Sequence, residues 1–138
     1  MRKEIVAAIK AKLVTELKIP VYTYQPAYSK QPVKFPHAVV EMGNESADNS
    51  LNNKSLRNIQ ILVLIVNQSY ISYGIEDGQD EIYDLADKCD DALNGYSVTV
   101  SEKKIRTIFD TTDWYKETDS VDTIIYAVSV NFNCIMTR

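Results

Sequence analysis

The chain has 138 residues, 45% of them hydrophobic and 25% charged, which is enough length and apolar content for one domain to bury a core unaided. Its 15 lysines and arginines against 19 aspartates and glutamates give a net charge of -4, which argues against a non-specific nucleic-acid binder and against an anionic membrane partner. One histidine, two cysteines and four glycines exclude a His-built metal site, a disulfide framework and a Gly-rich phosphate loop.

The first segment places Ile5, Ile9, Leu13 and Leu17 four residues apart, which predicts a helix over residues 2–18 with one apolar stripe. Pro20 stops it. Val21 to Tyr24 is a short strand, and the proline-rich stretch from Gln25 to Pro36 is an extended excursion. His37 to Met42 is a second strand, and the polar stretch from Gly43 to Ser55 is a long loop. Arg57 to Asn67 is apolar on both faces, with Ile59, Ile61, Val63 and Ile65 on one and Leu62, Leu64 and Val66 on the other. That pattern predicts a central strand.

A connector bearing Tyr70 and Tyr73 leads to a second helix over residues 79–94, with Asp80 in its first turn. Its apolar face is Ile82, Leu85, Ala86, Cys89 and Leu93, and Asn94-Gly95 ends it. Ser97 to Val100 is ambiguous. Ile105 to Phe109 is a strand, and the polar residues 110–119 around Trp114-Tyr115 are its end and a turn. Residues 123–136 alternate strictly and form a long antiparallel strand, in a hairpin with the one before it. The order is α-β-β-β-α-β-β. The expected architecture is a two-layer α+β domain spanning residues 1–138, with a mainly antiparallel sheet of four or five strands and two helices on one face.

No motif carries reaction chemistry. His37 has no local partner for general-base work and reads as a loop or strand-edge histidine. Cys89 and Cys134 lie on apolar faces and read as core thiols; Asp87, Asp90 and Asp91 oppose a thiolate at Cys89. Asp77-Gly78-Gln79-Asp80 lacks the register of a calcium loop. The opening segment lacks a signal-peptide apolar run, and the longest apolar stretch, Ile61 to Val66, is far short of a membrane span. These features predict a soluble, cytosolic chain without cofactor or metal.

Charge is unevenly distributed. Residues 76–95 hold eight acids and one lysine, while residues 1–18 hold five bases and two acids. Asp80, Asp84, Asp87 and Asp91 share one exposed stripe of the second helix. Such a stripe is either a solvated face or a surface that docks electrostatically on a basic one, for which Lys3 and Lys10 of the first helix qualify. Asn49 and Asn52 in the long loop, and Trp114 and Tyr115 among the aromatics, complete the candidate contact residues.

The succession of segments resembles the tail terminator proteins of long-tailed phages, also called tail-completion or tail-to-head joining proteins. The resemblance runs over nearly the whole chain. It comprises the opening helix EIVAAIKAKLVTEL, the Tyr/Pro-rich stretch into FPHAVVEMGN, the strand RNIQILVLIVNQ, the connector SYGIEDGQDEI into a helix ending AL, and a Trp/Tyr-bearing hairpin closing with DTIIYAVSVNFNCIM. It implies a structural virion protein rather than an enzyme. Such a protein forms a ring of copies, expected to be six, on the end of the tail tube, stops tube polymerisation and presents a surface to the head connector. The implied partners are further copies of the chain, the tail tube protein and a head-tail connector protein, in the virion and, during assembly, in the host cytoplasm. Other connector components, such as a head-completion or stopper protein, fit the same order of elements. A small ligand-binding regulatory domain is the remaining alternative, and would need an apolar pocket with convergent polar groups.

Overall fold

The structure is a computed structural model that describes residues 2–24, 34–48, 56–70, 75–118 and 123–136. The elements are α1 (Arg2–Leu17), β1 (Val21–Tyr22), β2 (His37–Asp48), β3 (Leu56–Tyr70), α2 (Ile75–Leu93), β4 (Ser97–Val100), β5 (Lys103–Thr118) and β6 (Thr123–Met136). The class is α+β, as expected, but the sheet has six strands rather than four or five, in the order β1-β2-β3-β6-β5-β4. It is also mixed: β1 lies parallel to β2, pairing Val21 with Ala38, while every other neighbouring pair is antiparallel. A parallel pair cannot be closed by a tight hairpin, and β1 and β2 are accordingly well separated in sequence, β1 ending at Tyr22 and β2 beginning at His37.

Helix α1 forms as its apolar spacing dictates. Ile5, Ile9, Leu13 and Leu17 are all buried. Lys18 then takes a left-handed conformation with φ of 56°, its N–H bonding back to the Val14 carbonyl, and Pro20 follows, so the helix cannot continue.

The central strands β3 and β6 pair from Arg57↔Met136 to Tyr70↔Thr123, and the pairing fixes which side chains share a face. Ile61 stands opposite Phe132, Val63 opposite Val130 and Ile65 opposite Val128. All are buried, in one core cluster with the α1 stripe and with Ile82, Leu85, Cys89 and Leu93 of α2. The opposite face carries Gln60, Leu62, Leu64, Ser129 and Asn133, half-buried, with no helix over it among the described residues. Asn131 ties that face together. It accepts from Ser129 Oγ at 2.7 Å and donates to Thr111 Oγ1 at 3.0 Å and Asp113 Oδ2 at 3.2 Å.

Several boundaries differ from expectation. Helix α2 begins at Ile75, so Asp80 lies beyond the first turn. The expected start at residue 79 is therefore late, and the helix takes in Gly78 although glycine lowers helix propensity. Here Gly78 permits close approach: a Cβ at that position would stand 2.6 Å from Ser69 Cβ on β3. Asn67 of β3, 3% exposed, donates to the Gly78 carbonyl at 3.1 Å, which fastens helix to strand.

Strand β2 runs on to Asp48, through a register shift between Met42 and Glu45, so the first part of the expected loop is strand. Strand β4 is real. It joins β5 through Ser101-Glu102, both at positive φ (50° and 67°), the geometry of a two-residue type I′ turn built without glycine. Strand β5 does not end at Phe109. It passes a second irregularity between Phe109 and Thr111 and stays paired with β6 to Thr118, so the residues read as a turn, Trp114 and Tyr115 included, are strand.

Candidate assembly surface

The two helices pack side by side, and each keeps one flank away from the other. On α1, Lys12 leans over the Tyr96 ring, 5.4 Å from its centroid, which turns that flank toward the C-terminal end of α2. A helical turn of 100° per residue then puts Lys3, Ala7 and Lys10 on the flank away from α2. There, Arg2, Lys3, Val6, Ala7 and Lys10 enclose an open groove of about 530 Å³ with Thr23 and Met42. Its rim is basic and its floor apolar. Of its cations Arg2 is paired, with Glu45 at 2.9 Å.

On α2 the orientation is set by two contacts. Glu81 reaches Asn67 on β3, at 3.3 Å. Tyr83 meets Trp114 of β5 edge to face. The flank bearing Tyr83 therefore looks toward the β5 side of the sheet. Gln79, Ile82 and Tyr83 of α2 line a hollow of about 130 Å³ with Trp114, Lys116 and Tyr126, the last two in cation–π contact at 5.9 Å.

Asp80, Asp84, Asp87 and Asp91 are all exposed on the outward stripe of α2, as the spacing predicts. None of the four is in an ion pair among the described residues. The adjacent Asp90 is half-buried, and its Oδ1 is buried without a hydrogen-bond partner. Burial, then the nearby Asp91 and Asp87, push its carboxyl above the usual range. Among the described residues no ion pair neutralises the acids of the stripe. Lys3 is exposed and Lys10 half-buried in the α1 groove, on the far side of the molecule from Trp114. Trp114 and Tyr115 are 51% and 56% exposed and, as neighbours in a strand, point to opposite faces. Trp114 shares the helix-bearing face with Val128, and Tyr115 the open face with Ala127. Asn49 and Asn52 lie outside the described residues.

Sequence reasoning missed Tyr83 and Met42. Tyr83 sits one position off the apolar stripe of α2 and is 43% exposed, so only its contact with Trp114 marks it. Met42 read as an ordinary strand residue, and only the groove under α1 gives it a surface.

The residues with potential chemistry are placed for packing. His37 is fully buried, its ring 5.2 Å from that of Phe35 and 5.8 Å from that of Tyr22, with Nδ1 3.0 Å from the Lys34 carbonyl. Burial holds its pKa below the ordinary value. Both cysteines are buried, and desolvation raises Cys89 to about 12, with Asp90 adding to the shift, and Cys134 to about 11. Among the described residues no cluster of His, Cys, Asp or Glu could hold a metal ion, and no helix is long and apolar enough to cross a membrane.

No family model matches the chain, and no curated protein does. Solved structures do. A chain from the virion of a native gene transfer agent particle superposes with a TM-score of 0.62 at 14% identity, over 99% of this chain and 97% of that one. The two chains share a fold across essentially their full lengths.

Proposed function

We propose that this chain is a structural virion protein that assembles as a ring on the end of a phage-type tail tube, stops tube polymerisation and forms the joint to the head connector. The observation that carries this reading is the full-length likeness in fold to a chain of a gene transfer agent virion. The sequence resemblance to tail terminators, which also runs the length of the chain, points the same way. The distribution of chemistry supports it. The cysteines are buried with raised pKa values, the histidine is buried, and the exposed special features are charged and aromatic surface. Such a protein acts by fitting against copies of itself and against neighbours. The partners under this reading are further copies of the chain, the tube protein and the connector protein.

The test is tube assembly. Electron microscopy of tubes polymerised with the protein should show uniform lengths with a ring at one end. Tubes grown without it should overrun. Unchanged tube lengths with no density at either end would refute the reading. Normal tubes in particles whose heads stay detached would assign the chain to another connector role.

A further inference from the structure

We infer that copies of this chain join head to tail through their sheet edges, the outer half of β5 of one copy lying along the free part of β2 of the next, with Trp114 seated in the groove under α1. The inference rests on the proposed ring and specifies the surfaces that would make it.

The two edges of the sheet are stepped in opposite senses. On one side, β1 pairs only with Ala38 and Val39, so from Val40 onward β2 has no outer strand among the described residues. On the other, β4 pairs only with Lys103 to Arg106 of β5. Backbone bonds between Thr107 and the Gly95-Tyr96 segment, and one from Phe109 N–H to Asn94 Oδ1 at 3.1 Å, extend that cover a little further. From Asp110 to Thr118 no outer strand follows among the described residues. Among the described residues each copy thus offers two open rows of backbone donors and acceptors, at opposite sides and opposite ends of the sheet.

The rows match in direction. β2 is antiparallel to β3, β3 to β6 and β6 to β5, so β2 and β5 run opposite ways. Two copies placed side by side in the same orientation therefore meet as an antiparallel pair, the better hydrogen-bonded arrangement. The same patch is not used twice, so the contact is heterologous and generates a ring if the rotation closes.

The step also sets the stagger. Trp114 stands opposite Val128, and Met42 opposite Ile61, which itself faces Phe132. Val128 and Phe132 are four residues apart on β6, about 13 Å of strand. Sliding the second copy by that amount brings Trp114 beside Met42 and Lys116 beside Val40, so the pairing runs up to the end of β1 and stops there. Both side chains lie on the helix-bearing face, so the indole enters the groove between α1 and β2. A closed sheet requires a stagger of this kind between its strands.

The helix layers agree. The flank of α2 next to Trp114 carries Tyr83 with Asp80 and Asp87 beside it. The flank of α1 that walls the groove carries Lys3 and Lys10, with Val6 and Ala7 between. In the head-to-tail arrangement these flanks face each other, and the acids of one copy meet the bases of the next around an apolar centre.

Thiol cross-linking tests the inference, because both native cysteines are buried. A chain carrying Ala7→Cys and Lys116→Cys, treated with a short bis-maleimide, should give a ladder of dimers, trimers and higher species. Each single variant should stay monomeric alone, and the two mixed should give a dimer only. Adding Trp114→Arg should cut the ladder about tenfold, as loss of a hot-spot anchor does. Lys3→Glu with Lys10→Glu should cut it likewise, and adding Asp80→Lys with Asp87→Lys should restore it. Thermal melts of every variant confirm that the fold is kept. No ladder from the double-cysteine chain at high protein concentration, or a ladder indifferent to Trp114→Arg, overturns the inference. A ladder from a protein that leaves tube length unchanged sinks the proposed function and keeps the interface. Capped tubes with no ladder do the reverse.

Discussion

Tyr83 on α2 and Trp114 on β5 meet edge to face, with ring centroids 5.0 Å apart and planes at 79°. Both rings are about half exposed, at 43% and 51%. The pair therefore fixes α2 against the distal half of β5, where the strand is paired on one side only among the described residues. Edge-to-face aromatic pairs contribute about 0.5–1.5 kcal/mol beyond area burial. A double-mutant cycle with Tyr83→Ala and Trp114→Ala should return a coupling in that range by urea denaturation. A coupling near zero would mean that the two rings merely lie side by side.

Gly78 and Ser69 give a sharper test of helix seating. Alanine is ordinarily the better helix residue by about 1 kcal/mol. Here the added methyl would stand 2.6 Å from Ser69 Cβ, and the helix would have to lift from β3. Overpacking of this kind costs about 1–3 kcal/mol. Gly78→Ala should thus lower the unfolding midpoint instead of raising it. Ser69→Gly in the same chain should recover much of the loss by opening the space. A stabilised Gly78→Ala variant would mean that α2 does not approach β3 this closely.

Thr107 closes the other end of α2. Its side chain is 1% exposed, and its hydroxyl donates to the Leu93 carbonyl, one of the last in the helix. Replacement by the isosteric valine keeps the shape and leaves that carbonyl without its side-chain donor. The carbonyl keeps the Tyr96 N–H at 3.1 Å, so the loss is one hydrogen bond, worth about 0.5–1.5 kcal/mol. Thr107→Val should lose stability in that range, while Thr99→Val, exposed on the neighbouring β4, should change little.

What the sequence displays most clearly is strong periodicity. The α1 stripe and the alternation of Thr123 to Met136 are buried as the spacing requires, because the apolar face alone decides their placement. The misreadings share another cause. Ser101-Glu102 makes a hairpin turn at positive φ without glycine or asparagine, so β4 carries no turn signal. The far half of β5, from Asp110 to Thr118, is exposed on most of its positions and lacks alternation, and is strand because β6 pairs with it. Pairing with a distant segment overrides local pattern. At the candidate surface, the acidic stripe and Trp114 could be read from spacing and residue type. The groove under α1 could not, because it exists only where a helix flank, the end of β1 and Met42 come together.

The buried cysteines predict the behaviour of a reagent. With thiols raised to about 12 and 11 and enclosed in the core, the native protein should react with maleimide or Ellman's reagent far more slowly than the unfolded chain. Labelling at pH 8 should proceed only through unfolding, with two thiols modified per chain in urea. Fast labelling of one thiol in the native protein would mean that α2 or β6 opens locally, and would identify which.

Asp90 predicts a pH dependence with a definite sign. Its folded-state carboxyl is raised, first by burial and then by Asp91 and Asp87. The folded state therefore holds the proton more tightly than the unfolded chain, whose carboxyl titrates near about 3.9. Above the folded value, the ionised group weighs against folding. As pH falls through that value toward the unfolded one, the penalty disappears. Asp90→Asn removes the charge and offers an amide at the same place, so the variant should be more stable than wild type at pH 7. Its advantage should shrink steadily as pH is lowered through the carboxylate range. Urea midpoints of both chains from pH 7 to pH 4 would show this convergence. An advantage that persists undiminished at pH 4 would trace the gain to a new hydrogen bond rather than to the removed charge.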